Sequence, residues 1–391
     1  MKKILYILLH TFLFANIANP ALLTYQKKYS VCHGKTNYQI AKCLLNGDLN
    51  YARFRGDRAA YKKVDSRALQ RAEASGNVYN YVMDLLPQTK RYTGLKGYLD
   101  YLYSVRKEYT PPKFKENETE DIIRTKRVFN LLQNAQLTED GNYTLEFTEA
   151  LLQYQKSHGL TVDGEIGPQT KRALKQSIHS IILKIKKNLQ LERISAVKGS
   201  HHILINIPEF KMHYYKDDIV ILSMKIVVGK TKMRTPVFNR KLTYIVKNPR
   251  WNVPPSIYRK EYAHKSEAYL RRKGFDYNSE GKLYQKEGRR NALGVVKFLF
   301  PNKYNVYMHD TPSKSLFNRT VRAFSHGCIR LEKPLALLAE LGYTYSSGKN
   351  KWITLKEKIP VYVEYHTVWV DDEGVVQFRN DIYGYERKLF S

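Results

Sequence analysis

Apolar residues recur at helical spacing through the first half of the chain and alternate like strands through the second. From residue 22 to about 115, apolar positions stand three and four apart among Lys, Arg and Glu. Residues 41–51, 57–75, 78–86 and 97–109 read as helices, the last through Leu99, Leu102 and Val105. Gly76-Asn77 and Pro87 punctuate the group, and Thr110-Pro111-Pro112 ends it. Residues 118–176 then read as a compact module of three short helices, separated by Gly159 and Gly167-Pro168, with Pro168 suited to a first helical turn. Residues 177–197 form a connecting helix, apolar at Ile181, Ile182, Ile185 and Leu189 on one face; packing back on the helices before it is favoured over lying on a membrane.

After Lys198 the period shortens. Residues 202–210, 219–228, 242–246, 304–309 and 359–369 alternate or are rich in β-branched residues. Asp371-Asp372-Glu373-Gly374 turns a last hairpin that would complete a mostly β domain over 198–391. Residues 256–290 interrupt it with polar, basic, glycine-containing sequence, the composition of a mobile insertion more than of a core sheet. The fold class is therefore multidomain α+β, with a helical scaffold and three-helix module ahead of a β-rich domain.

The first 21 residues change the compartment. Lys2-Lys3, an apolar run from Ile4 to Phe14 and small residues after it have the layout of a secretory signal segment, or of an N-terminal anchor left in place. The apolar part is shorter than the roughly 20 residues of a comfortable membrane span. In an oxidising compartment Cys32 and Cys43 are a candidate disulfide pair, which leaves Cys328 as the odd thiol. The net charge of +30 implies attraction to polyanions such as an anionic wall polymer or a membrane surface. Nucleic acid is excluded as a partner: the basic residues are spread over the whole chain and no recognisable module collects them. Ligand spacings for a metal are absent, and no cofactor is called for.

The chemistry concentrates in residues 305–330, which end Ser325-His326-Gly327-Cys328-Ile329-Arg330. A cysteine thiolate is a strong acyl acceptor, a histidine can take and return its proton, and a glycine lets main-chain amides approach an oxyanion. His309 and Tyr307 fall on one face of a predicted strand, so His309 would sit on a rigid sheet.

His309, a short spacer and Ser-His-Gly-Cys followed by an aliphatic residue and Arg resemble the active-site signature of the L,D-transpeptidases, cysteine enzymes that remodel peptidoglycan. Residues 147–174, with His158-Gly159-Leu160, Asp163-Gly164-Glu165-Ile166-Gly167 and Thr170, resemble the peptidoglycan-binding module of cell-wall enzymes. The helical region loosely resembles the scaffold of the large Gram-negative transpeptidases, and 256–290 a short version of their capping subdomain. The resemblance implies a periplasmic enzyme of a Gram-negative bacterium, soluble or tethered by its N-terminal segment. Cys328 would be the nucleophile and His309 the base, with Gly327, His326 and Ser325 forming the oxyanion loop. Arg330, Tyr307, Trp251 and Asn248 would border the substrate; for Arg330 a salt bridge holding the loop is the structural alternative. The implied reaction joins tetrapeptide stems into 3–3 cross-links through a thioester. Water as acceptor would give an L,D-carboxypeptidase, and an envelope lipoprotein's lysine would give an attachment enzyme. A catalytically inactive wall-binding protein is the alternative outside enzymology. Glycan strands are implied partners, whether or not the module binds them directly.

Overall fold

The computed structural model describes residues 18–114 and 118–390. The expected leader lies outside the described residues as far as residue 17. Ala18–Ala21 belong to the folded chain: Ala18 is buried and the Asn19 side chain caps the first helix. Contacts divide the chain into two units, one made of 1–54, 58–196 and 366–391, the other of 55–57 and 197–365.

Among its described residues the first unit carries nine helices before the β-rich region: α1 (Pro20–Tyr29), α2 (Asn37–Asn46), α3 (Ser66–Ala74), α4 (Val78–Asp84), α5 (Lys90–Val105), α6 (Glu118–Gln133), α7 (Leu145–Ser157), α8 (Pro168–Leu174) and α9 (Ile178–Ile194). Their apolar faces share one core, in which Leu22, Ile40, Leu44, Leu95, Leu99 and Leu189 are fully buried. The helix expected over 57–75 forms only from Ser66, where Asp65 accepts hydrogen bonds from the Arg67 and Ala68 amides. α9 covers the expected residues and packs Ile181, Ile182, Ile185 and Leu189 into this core, not onto a membrane. At its end Arg193 is fully buried, donating from Nε to Tyr92 Oη (2.9 Å), from Nη2 to Tyr29 O (2.9 Å) and from Nη1 to Gln190 Oε1 (3.2 Å). A buried guanidinium is tolerated only when its donors are occupied, and here tyrosines do part of that work. A disulfide joins Cys32 to Cys43. Among the described residues no helix is long and apolar enough to cross a membrane.

In the three-helix module Gln155, fully buried, replaces missing main-chain partners. Its Oε1 accepts from the Asp163 and Gly164 amides (both 3.0 Å), while Nε2 donates to Asp163 Oδ1 (2.7 Å) and Glu165 O (2.8 Å). His158 stacks on Tyr154 with centroids 3.7 Å apart, and burial holds its imidazole down at about 3.

The second unit is a mixed β-barrel. Its strands are β1 (His202–Asn206), β2 (Lys211–Lys216), β3 (Ile219–Gly229), β4 (Phe238–Lys247), β5 (Trp251–Asn252), β6 (Phe275–Tyr277), β7 (Leu283–Gln285), β8 (Val296–Leu299), β9 (Met308–His309), β10 (Ala323–Ser325), β11 (Ile329–Leu331) and β12 (Lys351–Glu364). The main sheet runs β10-β3-β11-β9-β8-β4-β12-β1-β2, and pairing of β2 with β3 closes it. The insertion is more ordered than its composition suggests. β5, β7 and β6 make a separate three-stranded sheet, and Val253, Ile257, Leu270, Phe275 and Leu283 bury one another beneath it. It starts at Trp251, slightly ahead of the expected 256.

The C-terminal hairpin corrects the expected boundary at 391. Strands β13 (Val368–Val370) and β14 (Val376–Phe378) form their own sheet, and Val368, Val370 and Phe378 join the helical core. Gly94 of α5 admits this contact, because a β-carbon there would lie 3.2 Å from Val370 Cγ2. Alternation predicted the strands correctly but could not say which core their apolar faces would enter.

Replacing Gln155 by leucine keeps the volume and strands two amides in the module. Thermal or urea unfolding of the helical unit should register a loss of about 2–4 kcal/mol; a change within about 0.5 kcal/mol, ordinary for an uninvolved position, would contradict this account.

Candidate active site

β9 and β11 are parallel neighbours, with Met308 opposite Ile329 and His309 opposite Arg330, and Ile329 N donates to Tyr307 O (3.0 Å). Side chains alternate along a strand, so His309 and Arg330 share a face across the pairing. Cys328 lies in the bend immediately before β11, and its Sγ donates to Asn305 O (3.8 Å). On the other side β8 pairs antiparallel, with Lys297 opposite His309.

The imidazole orientation follows from one hydrogen bond. His309 Nδ1 lies 2.5 Å from Asp310 O. A carbonyl only accepts, so Nδ1 carries the proton and Nε2 keeps its lone pair. The orienting group is therefore a main-chain carbonyl. The Asp310 carboxylate works elsewhere, accepting from Val295 N (3.0 Å) and Lys314 Nζ (2.8 Å). It also fills the space over Gly294, where a β-carbon would come within 2.2 Å of Asp310 Oδ2.

The nucleophile loop is braced from inside. Ser325 Oγ donates to Cys328 O (2.6 Å) and accepts from Gly327 N (3.0 Å). Thr235, fully buried in the 229–236 loop, accepts from Gly229 N (2.9 Å) and donates to Gly327 O (2.8 Å). Gly327 has φ +122°, a region closed to most side chains. Its amide is occupied by Ser325, which corrects the expectation that it donates to an oxyanion. Nothing in the sequence singled out Thr235.

Burial disfavours the charged forms of both Cys328 and His309. Burial first, then the Arg330 and Lys297 charges, hold His309 down at about 3. Burial likewise pushes the Cys328 thiol up, against hydrogen-bonding groups of Tyr307 and the charges of Arg330 and Arg55. Tyr307 is itself pushed up by burial and by Cys328, and its ring centre lies 5.6 Å from that of His309. Arg330 is half-buried, and its Nε has no hydrogen-bond partner among the described residues. Burial lowers its pKa, while Glu261 and Cys328 oppose that shift.

His326 Nε2 lies 2.7 Å from Glu261 Oε1, on a short π-helical turn of the insertion (Tyr258–Tyr262). The two remaining candidates have protein partners of their own. Asn248 is buried at φ +49°, donating to Ser346 O (3.0 Å) and accepting from Tyr345 Oη (3.0 Å), so its amide fastens the 345–350 loop and has little left for substrate. Trp251 lies 6.1 Å from both Tyr262 and Phe275 and packs within the insertion. Among the described residues no group of His, Cys, Asp and Glu could hold a metal ion.

A closed mixed barrel with a free cysteine just before one strand and an oriented histidine on the neighbouring strand has the parts of a thiol acyl-transfer site. Residues 200–363 match the profile of the L,D-transpeptidase catalytic domain, and residues 119–174 match a provisionally named peptidoglycan binding domain. The likeness to the L,D-transpeptidases is thus carried by residues 200–363, and the chain spans less than two thirds of the length of the curated relative it matches. A Haemophilus influenzae protein provisionally named L,D-transpeptidase is 30% identical over 333 residues, covering 74% of this chain and 65% of that relative. An L,D-transpeptidase from Mycobacterium smegmatis is similar at 17% identity and TM-score 0.25, over 42% of this chain and 58% of its own. The catalytic domain of the Enterococcus faecium L,D-transpeptidase is similar at 20% identity and TM-score 0.26, over 43% of this chain and 100% of its own.

Alkylation of Cys328 by iodoacetamide should therefore keep accelerating beyond pH 9, because the folded site raises the thiol above that value. Arg330→Met, which removes a cation favouring the thiolate, should move the curve to still higher pH. A plateau already reached at pH 7 would refute the raised thiol.

Proposed function

We propose that this protein is a cysteine acyltransferase that forms 3–3 cross-links in peptidoglycan, with a tetrapeptide stem as acyl donor. The observation that carries the reading is that Cys328 immediately precedes the strand paired with the one carrying His309, with Nε2 left as the lone-pair nitrogen by the Asp310 carbonyl. The disulfide between Cys32 and Cys43 supports an oxidising compartment, here the periplasm of a Gram-negative bacterium.

His309 Nε2 takes the thiol proton as Cys328 sulfur attacks the carbonyl joining the third stem residue to terminal D-alanine. The tetrahedral oxyanion collapses, the carbon–nitrogen bond breaks, and His309 returns its proton to the departing amine. An amine of a neighbouring stem then loses a proton to His309, attacks the thioester and releases the sulfur, which regains that proton. Arg330 and Lys297 favour the transient thiolate; each also opposes a charged imidazole, so proton transfer and attack are best concerted. Ser325 and Thr235 hold the loop in place through these steps. The module at 118–176 and the basic surface support retention on the wall, and an envelope lipoprotein remains an acceptor by the same thioester chemistry.

Mass spectrometry after exposure to a carbapenem should show a covalent adduct on the parent and none on Cys328→Ala. Parent protein given tetrapeptide muropeptides should release D-alanine, and His309→Gln should lower kcat at least about 100-fold. With two stems supplied, a dimer identifies the cross-linking reaction, whereas a tripeptide product alone identifies hydrolysis. Absence of both adduct and D-alanine release would sink the proposal.

A further inference from the structure

Arg55 stands far from the active-site motif in sequence but falls within the β unit, in the three-residue segment 55–57. That segment is tied down at several points. Gly56 makes a parallel bridge with Val237, Val237 N donates to Arg55 O (3.0 Å), and Asp57 N donates to Val237 O (2.8 Å). The Asp57 carboxylate is held by Arg240 (2.9 Å), Lys303 (3.0 Å) and Tyr304 Oη (2.9 Å). Val237 follows the 229–236 loop whose Thr235 braces Gly327, so one short stretch fastens both the segment and the nucleophile loop. At the end of this arrangement, a β-carbon placed on Gly327 would lie 3.9 Å from Arg55 Nη1. Residue 327 immediately precedes the nucleophile, and the Arg55 charge acts on the Cys328 sulfur.

The surroundings are cationic. Lys297 and Arg330 also act on Cys328, while burial disfavours the charged forms of the thiol and His309. Cations held together by the fold in this way create a local field suited to an anion. In the reaction proposed above, the leaving D-alanine carries a carboxylate three bonds beyond the carbonyl that the sulfur attacks. A guanidinium beside the nucleophile loop is therefore within reach of that group, and its planar fork matches a carboxylate.

We propose that Arg55 is a specificity-determining residue of this active site, binding the terminal carboxylate of the acyl donor beside Cys328. The inference rests on the transpeptidase reading for its substrate. Its anion-binding core can be tested without turnover, because Cys328 is the free thiol and iodoacetate and iodoacetamide differ mainly in charge.

In the full-length protein, Arg55→Ala should lower the ratio of iodoacetate to iodoacetamide alkylation rates about fivefold; both rates fall to the same degree with the lost thiolate fraction, and the ratio cancels that part. Arg55→Lys should retain most of the ratio. With a tetrapeptide donor, Arg55→Ala should raise KM about tenfold with kcat within about threefold, and a donor amidated at its terminal carboxylate should not distinguish variant from parent. An unchanged alkylation ratio would overturn the proposal, as would equal losses with both donors. Should Arg55→Ala not fold, the near-isosteric Arg55→Gln reads the same ratio. Failure of the parent to turn over any tetrapeptide would count against the transpeptidase reading, with the alkylation ratio still deciding whether Arg55 recruits an anion.

Discussion

The parallel pairing of β9 with β11 is the constraint on which the site depends. Each strand is only two or three residues long, yet the pairing places His309 opposite Arg330 and leaves Cys328 just before the paired segment. A one-residue slip would turn the imidazole to the opposite face. The register is held from both sides, by β8 against β9 and by β3 against β11. A nucleophile at the end of such a strand can occupy an irregular loop while its proton acceptor stays on the barrel. That combination gives the loop the left-handed geometry of Gly327 without loosening the imidazole.

Around this pairing, several polar residues look catalytic by type and act as braces by position. Ser325 and Thr235 occupy main-chain groups of the nucleophile loop, and the Asp310 carboxylate fills the turn at Gly294. Asp310 meets His309 at hydrogen-bond distance through its carbonyl, which fixes the tautomer, while its carboxylate favours the charged ring from further away. Burial and neighbouring cations outweigh that effect, so the imidazole stays neutral until a proton is delivered to it. Positive charge close to the sulfur favours thiolate formation at the same time as it disfavours a protonated ring. The balance suits a base that holds its proton only briefly.

The insertion and the N-terminal segment reach this centre by different physical means. The insertion has a small apolar core beneath a polar surface and meets the nucleophile loop through Glu261 and His326. Residues 55–57 have no core of their own and are held by a bridge and a cluster of charges around Asp57. Between them they bring an acid and a guanidinium to a loop whose own sequence supplies only Ser, His, Gly, Cys and Arg.

Periodicity alone located α7, α8, α9 and most of the barrel strands, because in each the apolar spacing matches the geometry of one buried face. The thiol and histidine were legible for another reason: their residue types and spacing form a compact signature. The start of α3 at Ser66 was not legible, since residues 57–65 carry helix-compatible residues and only long-range partners extend them. Nor was the destination of Val368, Val370 and Phe378, because an apolar strand face is equally suited to any core that will bury it. Nor were the contacts of Asn248 and Trp251, whose polarity and aromaticity fasten a loop and help fill the insertion. Arg55 and Thr235 depend wholly on tertiary structure, as nothing within the local sequence marks a residue that will be folded against a loop far along the chain. The sequence by itself determined the chemistry available and the elements that carry it. Tertiary packing decided which polar groups face the sulfur and which are consumed in holding it there, because hydrogen-bond partners and burial exist only once distant segments meet.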